Sequence, residues 1–150
     1  MAKPGPRRRL KDLREQSGRA EHFAGLSEAG PEASFAGRQF HLAPASVEKL
    51  KERGFTNDEV YKIVAPRRTL ARRKELGQDL TAAESDRVLR LGRIADMAER
   101  VFGSHEKAQR WLRKESRGLE GSRPIELLES ETGAHLVEQE LHRIDYGMLA

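Results

Sequence analysis

The feature that most constrains the fold is a pair of helix-start signals followed by apolar residues at helical spacing. Residues 56–59 (TNDE) and 81–84 (TAAE) each place a threonine at the N-cap and a glutamate three residues later, the spacing of a capping box. After the first box, Val60, Ile63 and Val64 occupy positions i, i+3 and i+4. Because residues at this spacing share one helix face, an amphipathic helix is predicted after the box.

Helical patterning continues through the rest of the chain after Pro44. Glycine and proline mark the helix ends, since glycine suits the residue after a helix and proline suits the first turn. No segment alternates with period 2, so the predicted fold class is all-α. The expected helices lie between Pro44 and Gly54, Thr56 and Val64, Pro66 and Gly77, Thr81 and Gly103, Ser104 and Leu112, and Gly133 and a cap at Gly147, with a short turn at Pro124.

The distribution of charge and of glycine and proline divides the chain into three segments. Residues 1–43 hold much of the glycine and proline and lack sustained periodicity, so we expect a partly disordered N-terminal extension. In residues 44–93 the basic side chains outnumber the acidic ones, whereas in residues 94–150 the acidic side chains are in excess. This asymmetry predicts two domains that bind partners of different kinds.

The basic segment VAPRRTLARRKELG directly follows the first capped helix. A short helix, a tight turn and a second, basic helix are the parts of a helix-turn-helix, in which the second helix enters the major groove of DNA. Arginine suits that position because its planar fork can bond guanine O6 and N7 together. The alternative interpretation is a solvated basic face with i,i+4 ion pairs. The predicted DNA-binding residues are Arg67, Arg68, Thr69, Arg72, Arg73 and Lys74.

The sequence offers no support for catalytic or metal chemistry. It lacks cysteine, and its five histidines do not combine with carboxylates at ligand spacing, so we expect neither a metal site nor a cofactor. A nucleophile elbow and a phosphate-binding glycine-rich loop are both absent, so we expect no catalytic residue and no enzyme. No apolar run is long enough to span a bilayer and no secretory signal is present, which predicts a cytoplasmic protein without membrane contact.

Trp111 is the only tryptophan, and two interpretations of it stay open. It shares a predicted helix with Ala108 and Leu112, which favours a position in the core. An exposed tryptophan would instead anchor a partner protein.

Ordered motifs in residues 44–150 resemble a family of bacterial regulators. They are RRTLARRKELGQDLTAAESDRVLRLGRI, then AERVFGSHEKAQRWL, then SRPIELLESETGAHLVEQELHRIDYG. In this order they are similar to the Xre/MbcA/ParS antitoxins, which pair with RES-domain toxins. The resemblance implies an Xre-like helix-turn-helix domain at residues 44–93 and a small helical toxin-binding domain at residues 94–150.

The resemblance also implies a function, that of an antitoxin in a type II toxin–antitoxin pair. Such a protein blocks the active site of an NAD-using RES-domain toxin, either an NAD-degrading enzyme or an ADP-ribosyltransferase. It commonly forms a homodimer and represses its own operon by binding operator DNA. The alternative is a stand-alone dimeric helix-turn-helix repressor without a toxin partner.

The last predicted helix ends in RIDYG, residues 143–147. This segment is suited to block a cleft of the toxin. Tyr146 offers a rigid amphipathic contact, and Arg143 can pair with a toxin carboxylate. The alternative is that this end packs only on its own domain. The predicted toxin-binding residues are Arg117, Arg123, Arg143, Asp145, Tyr146, Met148 and Leu149.

Overall fold

Seven α-helices and one 3₁₀ turn occur in residues 40–149, the part of the chain that the computed structural model describes. The all-α prediction is confirmed for this part, which contains no strand. Most of the predicted N-terminal extension, residues 1–39, lies outside the described residues. The helices are α1 (Ala45–Glu52), α2 (Asn57–Ile63), α3 (Arg67–Leu76), α4 (Ala82–Phe102), α5 (His105–Leu112), α6 (Pro124–Leu127) and α7 (Glu131–Leu149), with the 3₁₀ turn (Arg117–Leu119) after α5.

Both predicted capping boxes form. The backbone N–H of Glu59 donates to Thr56 Oγ1 at 3.2 Å, and the backbone N–H of Thr56 donates to the Glu59 carboxylate at 2.8 Å. The corresponding distances at Thr81 and Glu84 are 3.2 Å and 2.9 Å. Each box satisfies two backbone N–H groups that a helix start would otherwise leave unpaired, so α2 and α4 begin where the sequence predicts.

The long helix α4 forms the centre of the unit. Its predicted apolar stripe is buried, and α1, α5 and α7 pack around it. The stripe consists of Val88, Leu91, Ile94, Ala95 and Ala98. The domain boundary expected between residues 93 and 94 falls inside this continuous helix. Residues 40–149 therefore share one hydrophobic core, to which both predicted domains contribute.

Two arginines join the segments on either side of that boundary. Arg90 on α4 donates from Nε to Glu131 at 2.9 Å and from Nη1 to the carbonyls of Leu128 and Glu129 at 3.3 Å. Arg113, just after α5, forms two 2.8 Å hydrogen bonds to the Glu59 carboxylate. Because Glu59 also closes the first capping box, the end of α5 is fixed to the start of α2.

The ends of α7 differ from the prediction. The helix begins at Glu131, before Gly133, and continues through Gly147 to Leu149, so the predicted start and the predicted cap are both wrong. Gly133 serves packing instead, because a Cβ there would lie 1.9 Å from the carbonyl oxygen of Leu127. Gly147 keeps a helical backbone and does not adopt a positive φ, so it does not end the helix.

Pro66 also differs in detail from the prediction. It was expected in the first turn of its helix, but its ψ of 147° is extended, so it is the N-cap residue and α3 begins at Arg67. The predicted stops at Gly77 and Gly103 are confirmed, with φ of +60° and +65°. Such positive φ values favour glycine over residues that carry a Cβ.

Candidate nucleic-acid and partner-binding surfaces

The α2–turn–α3 unit is held against the core on one side only. Val64 and Ala65 of the turn are buried, and Leu70 anchors the middle of α3. Arg87 on α4 donates from Nη1 to the carbonyl oxygen of Val64 at 3.0 Å, which fixes the turn. The opposite face of α3 is left open to solvent, as a helix that enters a DNA groove requires.

The exposed face of α3 is basic. Arg67, Arg68, Arg72 and Lys74 are exposed, Thr69 is half-buried, and the first turn carries no acidic residue. Within residues 40–149, none of these four cations forms an ion pair; the ion pairs of the described part lie elsewhere. Five of the six predicted DNA-binding residues therefore present polar groups to solvent from one helix.

Arg73 is placed differently from its neighbours. Its Nε lies 2.7 Å from Glu84 Oε2, and its Nη2 donates to Glu84 Oε1 at 3.1 Å. Glu84 is buried and also closes the second capping box. The guanidinium of Arg73 thus ties the end of α3 to the start of α4.

The pKa of Glu84 lies below its usual value. Burial is the largest influence and raises the pKa, but the hydrogen bond from the Thr81 backbone and the interactions with Arg73 together outweigh it. The ionised form of Glu84 is therefore favoured in the folded protein.

We expect Glu84→Gln to lower the free energy of unfolding at neutral pH and to flatten its acid dependence. A carboxyl group with a depressed folded pKa contributes stability above its unfolded pKa, and this contribution is lost as the pH falls through the folded pKa. Urea unfolding from about pH 6 to about pH 3 measures this slope. Glu75→Gln, an exposed carboxylate on α3, is the matched control. An unchanged slope in Glu84→Gln would contradict the prediction.

Apolar side chains are exposed at the C-terminal end of α7. Tyr146 and Met148 are 74% and 65% exposed, whereas Ile144 packs against the core and Asp145 is half-buried. Leu149 belongs to the helix, but its side chain lies outside the described residues. This end of α7 therefore does not pack entirely on its own domain. The exposure contradicts the interpretation that this end packs only on its own domain.

The three predicted arginines of the toxin-binding set are all exposed. Arg117 lies in the 3₁₀ turn and Arg123 precedes α6. The 3₁₀ turn packs against α7, where Gly118 lies next to the carboxylate of Glu140. Glu140 in turn binds Arg143. Sequence reasoning missed Glu140, although its i,i+3 spacing to Arg143 was a visible signal.

Trp111 lies half-buried at the edge of the core. Its ring centroid is 5.5 Å from that of Phe102, and the two rings are inclined by 41°. Both rings pack against the main cluster of buried residues. The contact supports the core interpretation of Trp111.

Residues 40–149 hold neither a cluster of metal-ligating side chains nor a helix suited to crossing a membrane. There, no group of three or more histidine or acidic side chains is arranged to hold a metal ion. Among the same residues, no helix combines the length and hydropathy that crossing a bilayer requires.

Curated relatives and one solved structure match the chain. The relative named Antitoxin Xre from Pseudomonas putida KT2440 is 41% identical over 99 residues, which cover 66% of this chain and 62% of that protein. Antitoxin Xre from Yersinia enterocolitica is 36% identical over 86 residues, covering 57% of this chain and 58% of that protein. The chain thus spans about three fifths of the length of these relatives.

The structural match is to one chain of the crystal structure of the M. tuberculosis MbcT–MbcA toxin–antitoxin complex. The TM-score is 0.52 at 26% sequence identity, and the match covers 69% of this chain and 94% of that chain.

Two families match in the order in which the two halves occur. Residues 41–93 match the antitoxin Xre-like helix-turn-helix domain, and residues 97–147 match the antitoxin Xre/MbcA/ParS C-terminal toxin-binding domain. Together the two matches cover more than half of the 150 residues. The basic helix α3 lies in the first match, and α7 lies in the second as far as Gly147. The chain belongs to the Xre/MbcA/ParS antitoxin family.

Proposed function

We propose that this protein is an antitoxin that binds a RES-domain toxin and acts by blockade rather than by catalysis. The observation that carries the proposal is the exposure of Tyr146 and Met148 at the end of α7. Tyr146 lies within the segment that matches a toxin-binding domain, and Met148 directly follows that segment. Apolar and aromatic side chains left exposed in this way are suited to fill a cleft on a partner. The toxin uses NAD, as an NAD-degrading enzyme or an ADP-ribosyltransferase, and the end of α7 closes its active site.

The same molecule represses its operon through α3. Arg67, Arg68, Thr69, Arg72 and Lys74 contact operator DNA, and Arg73 supports the helix through Glu84. A homodimer would present two such helices to two half-sites about one DNA turn apart. Sedimentation of the purified protein tests this part, and a monomer at operator-binding concentrations would contradict it.

Co-expression with the product of the adjacent gene tests the antitoxin function. Growth rescue and co-purification of the two proteins are expected. Operator binding without rescue or co-purification would instead support a stand-alone repressor.

For the DNA contacts, we expect Arg67→Ala and Arg68→Ala to weaken operator binding. Loss of a base contact costs about 1–3 kcal/mol, whereas loss of a phosphate contact lowers the salt dependence of log K by about one unit. Titrations at several salt concentrations distinguish the two. Arg110→Ala, an exposed arginine on α5, is the control and should bind as the wild type does. Unchanged binding in both α3 variants would refute the placement of the recognition helix.

A further inference from the structure

Glu140 is a buried carboxylate that holds an exposed arginine. Only 6% of Glu140 is exposed, while the side chain of Arg143 is 68% exposed. Arg143 donates from Nε to Glu140 Oε2 at 2.8 Å and from Nη2 to Oε1 at 2.6 Å. The guanidinium is therefore held along one edge by a two-point contact, which fixes its orientation better than a single ion pair would.

The 3₁₀ turn covers this carboxylate through Gly118. A Cβ at residue 118 would lie 2.2 Å from Glu140 Oε2, so a larger residue there would displace the carboxylate from this position. Ser116 Oγ lies 3.5 Å from Oε1 and donates to it. The turn thereby shields Glu140 from water, while the exposed guanidinium stays at the surface. Hydrogen bonds from Arg143 also hold the pKa of Glu140 below its usual range.

The contact with Glu140 leaves some hydrogen-bond donors of Arg143 unused. A guanidinium has five N–H groups, and the contact with Glu140 uses Nε and one N–H of Nη2. Within the described residues, Arg143 has no other hydrogen bond or ion pair. The remaining N–H groups match the fork geometry that binds a carboxylate or a phosphate.

We propose that Glu140 is a positioning residue that presents the guanidinium of Arg143 to an oxyanion of the bound toxin. The oxyanion is either a carboxylate of the toxin or a phosphate of a nucleotide held by the toxin. This inference rests on the proposed antitoxin function. Holding the side chain in advance lowers the conformational entropy that it loses on binding.

A double-mutant cycle tests this role. Binding of the purified adjacent gene product to wild type, Glu140→Gln, Arg143→Ala and the double variant is measured by calorimetry. We expect Glu140→Gln to weaken binding about tenfold in the wild-type background and to have no further effect beside Arg143→Ala. An effect of Glu140→Gln that persists in the Arg143→Ala background would overturn the proposal, and so would no effect in either background.

Controls separate this role from folding and from the proposed function. Glu138→Gln removes a carboxylate of α7 that pairs with Arg93 at 2.6 Å and should bind the toxin as the wild type does. Wild-type operator binding by Glu140→Gln shows that this variant is folded. If the wild type itself fails to bind, the antitoxin function and this inference fail together. If the wild type binds and only the cycle fails, the positioning role alone is refuted.

The source of the oxyanion follows from a second arm of the same experiment. The cycle is measured with nucleotide-free toxin and again after NAD is added. Coupling between Glu140 and Arg143 in both conditions identifies a toxin carboxylate. Coupling that requires NAD identifies a phosphate, and coupling in neither condition contradicts the proposal.

Discussion

Replacing Tyr146 and Met148 together by alanine should abolish toxin neutralisation while operator binding keeps its wild-type affinity. Both side chains are largely exposed at the end of α7, so they contribute little to the protein's own core. Buried in a toxin cleft, each would act as an anchor whose loss costs about 2 kcal/mol or more, or about 30-fold in affinity. The combined loss is then about a thousandfold, which growth rescue and a binding titration both detect.

Point variants test this more sharply than a truncation. Removing residues 143–150 would also take away Ile144, which packs against the core, so lost neutralisation would have two explanations. Leu89→Ala, which shortens an exposed apolar side chain on α4, is the matched control and should neutralise normally. Full neutralisation by the Tyr146/Met148 variant would show that the end of α7 does not carry the contact.

Arg90→Ala should destabilise the whole unit and impair both proposed activities at once. The Arg90 side chain is 10% exposed, and two carbonyls accept its hydrogen bonds. Each buried polar group left without a partner costs about 1–3 kcal/mol. The bond to the Leu128 carbonyl is buried and the bond to the Glu129 carbonyl is only part-buried, so the second contributes at the lower end of that range. Glu131 is mostly exposed and keeps its ion pair with Arg93 in this variant. Loss of its ion pair with Arg90 therefore adds little to the destabilisation. We expect a loss of about 2–4 kcal/mol in the free energy of unfolding, measured by urea titration.

Arg93→Ala is the matched control for Arg90→Ala. Arg93 lies on the same helix and binds the same Glu131 at 2.9 Å, but half of its side chain is exposed. Exposed ion pairs contribute about 0–1 kcal/mol, so this variant should remain close to the wild type. Equal destabilisation by the two variants would contradict the assignment of the effect to burial.

The local parts of the fold could be predicted from the sequence. The capping residues at Thr56 and Thr81 and the stripe on α4 are set by spacings of three or four residues, which any reader of the chain can see. Gly147 was misread because glycine permits a positive φ without requiring it. A glycine near the end of a helical pattern is therefore not enough to predict that the helix stops there.

Contacts between residues far apart in the chain could not be predicted. Arg73 looks like its neighbours in sequence, and only the turn between α3 and α4 brings it to Glu84. Arg113 and Glu59 are 54 residues apart, and Arg90 and Glu131 are 41 apart. No periodicity encodes such pairs, so the coupling of the two predicted domains became visible only in three dimensions.

The continuous α4 makes the two halves one thermodynamic system. Its N-terminal turns hold α3 and the turn before it through Glu84 and Arg87, and the rest of the helix packs against α5 and α7. We therefore expect the two halves to unfold together. A ligand that binds only the folded form, present at about 100 times its Kd, adds about 2.7 kcal/mol to the free energy of unfolding. If the proposed function holds, a toxin bound to α7 also raises the population of folded α3, and the amount of binding-competent repressor reports the supply of its partner by mass action.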